Sequence, residues 1–132
     1  MNISLNLEYE RAMRDDVGTF RFEEKGYLCE IARHEKDRHW CGYIYVNSYH
    51  PWHGKHYDSI HIDCHGGLTY SEDDKDKWKI GFDCAHLNDF VPAYKTQGIW
   101  RDRKYVENEC KKLVEQAIEA DIKHRDGINI FG

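Results

Sequence analysis

One long amphipathic helix with no second helix to pair with is what most constrains this chain. From Asp102 onward, Val106, Cys110, Leu113, Val114, Ala117 and Ile118 recur at steps of three and four residues. That spacing puts them on one stripe of a helix, with Glu107, Lys111, Lys112, Glu115 and Glu119 elsewhere. Asp102 is the expected N-cap, its carboxylate near the positive end of the helix dipole. Gly127 lies just past the expected end, as part of the cap. The stripe must be buried, and the surface available to it is a sheet.

The strands for that sheet are legible upstream. Thr19–Phe22, Tyr27–Arg33 and Trp40–Asn47 are turn-bounded runs rich in aromatic and β-branched residues. Glu24-Lys25-Gly26 separates the first two, and the charged run His34–His39 separates the second and third. A further hairpin is expected from Ser59–His65 and Leu68–Tyr70, a charged tip at residues 71–77, and Trp78–Cys84. The predicted fold is α+β: an antiparallel sheet with one long C-terminal helix packed across a face. The chain is read as a single domain over residues 1–132, with residues 1–18 as a peripheral N-terminal segment.

A composition that is 40% hydrophobic and 14% aromatic over the chain suits a packed core. Net charge is −5, from 24 acids against 19 bases, and no run of five or six basic residues occurs. That argues against direct general binding to nucleic-acid backbone, which needs a clustered basic face. Five cysteines stand far apart and in no CxxC pair, residues 1–16 lack an apolar leader core, and no stretch suits a membrane span. Reduced thiols in a cytosolic protein are expected, with no membrane partner.

Six of nine histidines fall between residues 50 and 86. If Ser59–His65 and Trp78–Cys84 are paired strands, alternation puts Asp63, His65 and Asp83 on one face and brings His86 and Asp89 to the same edge. Asp63, His65, Asp83 and His86 then form a candidate set for a divalent transition metal with an open position. Without metal, the same residues suit a general base with its orienting acid, or a polar ligand. Gly66 and Gly67 permit close backbone approach to a ligand such as phosphate. Two capped histidines steadying a hairpin and a loop is the plainer alternative. Cys64, Cys84 and Cys110 lie in register with apolar rows and are read as buried. In the loop Tyr49–Tyr57, Tyr49 and Trp52 either bind a base or partner or close the end of the core. Its His50, His53 and His56 are read as solvated.

The pieces His65-Gly66-Gly67-Leu68-Thr69-Tyr70 and Gly81-Phe82-Asp83-Cys84-Ala85-His86, with Gly42-Tyr43, His50-Pro51, Trp78, Asp89 and Arg101-Asp102, resemble a family of short proteins of tailed bacteriophages and prophages. Trp52-His53-Gly54 departs from the Leu-Tyr-Gly run more usual there. The resemblance implies a phage origin and a bacterial host cytoplasm. Small accessory phage proteins often counter host defences. The expected function is therefore inhibition of a bacterial defence system, by binding a defence protein in the anti-CRISPR manner or by sequestering a small nucleotide ligand. The expected binding residues are His65, Gly66, Gly67, Asp83, His86, Asp89, Trp52 and Tyr49. The alternative is a small metal-dependent hydrolase acting on a phosphoester or nucleotide.

Overall fold

A computed structural model describes the backbone of residues 3–131 and the side chains of residues 7–127. It holds helix α1 (Ile3–Arg14), strands β1 (Thr19–Glu24), β2 (Tyr27–Arg33), β3 (Trp40–Val46), β4 (Tyr70–Asp74) and β5 (Lys77–Asp83). Two short strands, β6 (Asn88–Asp89) and β7 (Gly98–Ile99), precede helix α2 (Arg103–Phe131). The five longer strands form one antiparallel sheet in the order β1-β2-β3-β5-β4, and α2 lies across it. The chain is thus α+β, as the lone helical stripe requires.

The stripe is buried as its spacing demands: Val106, Cys110, Leu113, Val114 and Ala117 meet Cys29, Ile31, Ile44, Ile80 and Phe82 of the sheet. Gly42 lets the layers close. A Cβ there would stand 2.6 Å from the Phe82 ring and 2.9 Å from Cys110 Sγ, so any side chain would push helix or ring away. Asp102 is the N-cap, its carboxylate accepting the Tyr105 amide at 2.8 Å. Gly127 caps nothing: the helix runs through it, and it is not among the glycines with positive φ. A glycine in ordinary helical geometry costs only about 1 kcal/mol against alanine, which a packed helix absorbs.

Three strand assignments change, and of Leu68–Tyr70 only Tyr70 lies in a strand. Ser59–His65 is not a strand. After a 3-10 turn at Tyr57–Ser59 it runs extended beside α2, whose side chains take its backbone bonds. Gln116 accepts the Asp63 amide at 2.7 Å and donates to the Asp63 carbonyl at 2.8 Å, and Glu109 accepts the His65 amide at 2.8 Å. Alternation survives, with Ile60 and Cys64 inward and His61 and Asp63 outward, but the partner is a helix. The acidic tip, in turn, is mostly strand. Residues 71–74 belong to β4, and only Lys75-Asp76 turn between Asp74 and Lys77.

The first eighteen residues carry α1, which polar side chains clasp to the body. Asp15 Oδ2 accepts from the indoles of Trp40 (2.9 Å) and Trp100 (3.1 Å) and from the Arg103 amide (3.0 Å). Arg33, lying over the Trp100 ring, donates to the carbonyls of Ala12 and Asp16 and so closes the C-terminal end of α1. All five cysteines are free and buried. Among the described residues, no helix is long and apolar enough to cross a membrane.

Candidate functional site

At the end of β5 the chain enters the loop 84–99, and most of the candidate residues gather beneath it. The loop is anchored from within by buried Phe90 and Val91, and Trp100, just past its end, is buried as well. The parallel pairing of β6 with β7 closes it, and Thr96 Oγ1 reinforces it by donating to the Asp89 carbonyl at 2.7 Å. Asp83 shapes the turn into it: Oδ1 accepts the Ala85 amide at 3.1 Å, and Oδ2 accepts the Thr69 hydroxyl at 3.0 Å.

Asp89 is the hub. Its side chain is fully buried, and its oxygens accept from His65 Nε2 (2.8 Å), the His86 amide (2.9 Å) and Arg101 Nε (2.9 Å). Burial alone would raise the carboxyl's pKa. The hydrogen bonds from His65, the His86 amide and Arg101 outweigh it and hold Asp89 below its ordinary value. His65 is equally committed, with Nε2 on Asp89 and Nδ1 2.7 Å from the Tyr105 hydroxyl. Three segments therefore meet on one carboxylate, the extended segment at His65, the loop at His86, and Arg101, and Tyr105 ties His65 in turn to α2.

His86 completes the cluster, its ring 5.9 Å from that of His65 and its Nε2 3.3 Å from Asp83 Oδ1. Its Nε2 is shielded from solvent and makes no hydrogen bond among the described residues. Gly66 explains the fit. With φ at +68° and a would-be Cβ only 2.3 Å from the His86 ring, this position excludes any side chain. Gly67 also has positive φ, but a Cβ there would meet nothing within 4 Å.

His65, Gly66, Asp83, His86 and Asp89 thus come together as the sequence suggested, although the pairing that suggested it does not form. Asp63 does not join them. It points out to solvent from the extended segment with 91% of its side chain exposed, the Lys112 ammonium at 3.8 Å. The four expected metal ligands, Asp63 among them, therefore do not surround one point. Trp52 is a core residue, not an exposed anchor, at 7% exposure, whereas Tyr49 projects at 87%. His50 causes the difference: it is buried, its Nε2 2.8 Å from the Ala117 carbonyl and its Nδ1 accepting the Trp52 amide at 3.0 Å. With that latch Trp52 lies inward beside the His50 ring, so His50 is not the solvated residue expected.

A second group of donors lies in the His34–His39 run. Among the described residues, His34, Asp37 and His39 are the one set of three such side chains whose ligand atoms all fall within 4.8 Å of one another. The spacing His-x-x-Asp-x-His in one short loop was the available signal. Comparison with protein-family models, curated proteins and solved structures finds no match to this chain.

Proposed function

We propose that this chain is a binding protein whose recognition element is the loop 84–99. Its target would be a bacterial defence protein, a CRISPR effector being one such target, met in the host cytoplasm. The observation that carries the reading is how the buried network is spent. Both nitrogens of His65 and both oxygens of Asp89 are used in holding the loop, while Leu87 (92% exposed), Tyr94 (69%) and Ile99 (50%) project from it. A loop fixed before it meets a partner has less ordering entropy to lose, and large side chains on a rigid support make effective anchors. The net charge of −5 favours a basic partner surface over nucleic acid itself. The phage resemblance supplies the choice of partner.

The test is phage plating on bacterial strains that each carry one defence system and express this chain. The expected result is restored plating on at least one strain and a direct complex with a component of that system. Leu87→Ala/Tyr94→Ala should abolish both without changing the melting temperature. Rescue that ignores the loop variant would overturn the assignment.

A nucleotide-signal reading has one observation in its favour. A cleft of about 340 Å³ between α1 and the loop is lined by Tyr9, Met13, Lys36, Arg38 and Pro92, a size and cationic rim that suit a small anionic ligand. Nucleotide binding lost in Lys36→Glu/Arg38→Glu would favour it over the protein target. The hydrolase alternative asked Asp63, His65, Asp83, His86 and Asp89 to act together, and with Asp63 turned away it is not proposed.

A further inference from the structure

We propose that His34, Asp37 and His39 form a binding site for a divalent transition metal of the zinc type. Two imidazoles and one carboxylate are the borderline donors such ions prefer, and three protein ligands leave a fourth position for water. The donor atoms already lie within 4.8 Å of one another, in a loop whose backbone is fixed. His34 N donates to the His39 carbonyl at 2.7 Å, Arg38 N to the His34 carbonyl at 2.9 Å, and Ala93 N to the Asp37 carbonyl at 3.2 Å.

His39 carries the strongest indication. Its ring is buried at 6% exposure, and Nδ1 has no hydrogen-bond partner among the described residues. A buried polar atom left unmet is a cost that coordination would remove.

His34 must adjust. Its ring stacks on His39, centroids 5.0 Å apart and 11° from parallel, and its Nδ1 accepts the amides of Lys36 and Asp37. In-plane coordination by both rings requires one to turn. His34 is the exposed one, free to exchange those two amide bonds for the ion. Glu35 and Asp37 balance Lys36 and Arg38, so attraction for a cation comes from the donors and not from a net charge on the loop.

The experiment is titration of metal-free, untagged protein with cobalt(II), read by its visible ligand-field absorption, followed by displacement with zinc(II). One saturable equivalent with a four-coordinate spectrum is expected. His39→Ala and Asp37→Asn should each weaken binding by about tenfold or more. His61→Ala, which removes an exposed histidine elsewhere, should leave it unchanged. If His39→Ala fails to fold, Asp37→Asn and His34→Ala decide. Absence of saturable binding in the wild type, or equal affinity in Asp37→Asn and His34→Ala, would overturn the proposal. So would binding lost in His65→Ala and retained in Asp37→Asn, which would place the ion in the other cluster.

Discussion

Asp89→Asn removes one charge and one acceptor from a site that has no slack. The carboxylate is fully buried and meets only donors: His65 Nε2, the His86 amide and Arg101 Nε. Whichever way the Asn amide points, its NH₂ faces at least one of them. Breaking a buried ion pair from one side typically costs about 3–5 kcal/mol, because the remaining charge, here that of Arg101, is left without its partner. An unfolding entropy of about 2.1 cal/mol/K per residue gives about 0.28 kcal/mol/K for a chain of 132 residues, so the melting temperature should fall by about 11–18 °C. Circular-dichroism melts with matching urea curves measure it. A change below about 1 kcal/mol would mean that the network adds almost nothing to the fold.

Three further outcomes follow from the same geometry. Gly66→Ala should cost about 2–4 kcal/mol in urea unfolding, from left-handed backbone plus collision with His86; Gly67→Ala, with backbone strain alone, should cost about half that. Burial, opposed by the Ala117 carbonyl bond, lowers the His50 pKa, so the unfolded chain takes up that proton first. Its contribution is therefore complete above the ordinary histidine value of about 6.5 and is lost as pH falls through the folded value, at most about 1.4 kcal/mol per pH unit. Urea curves at falling pH should show a smaller slope in His50→Ala. Burial raises the pKa of every thiol, to about 11 at Cys41 and about 12 at Cys29 and Cys64. None should react with a thiol reagent in the native protein, and all five should react after unfolding.

What the sequence disclosed follows from where periodicity has physical force. The stripe from Val106 to Ala117 and the apolar rows of β2, β3 and β5 repeat because each faces one continuous core, so helix, strands and fold class were all legible. Ser59–His65 alternates for the same reason, but alternation records which side is buried and not what pairs with the backbone. Gln116 and Glu109 decide that from more than forty residues away. The acids of β4 hid an edge strand, whose side chains face water. The His50–Ala117 contact that turns Trp52 inward leaves no local trace. In α1, Ala12 alone among the described side chains is buried in the core, too little for a helical stripe to stand out. The cluster at His65, Asp83, His86 and Asp89 was found because its members crowd into one stretch of sequence; Arg101 and Tyr105, which complete it, look like ordinary residues at a helix start.

Amide hydrogen exchange reads out whether the Asp89 network holds the loop 84–99 rigid for recognition. The amides of Asp89, Phe90 and Val91 are bonded to the His86 carbonyl, the Ile99 carbonyl and Thr96 Oγ1. They should exchange nearly as slowly as the amides of β3, and in Asp89→Asn they should become fast while β3 remains protected. Exchange of these loop amides in the wild type at the rate of an open chain would contradict the account.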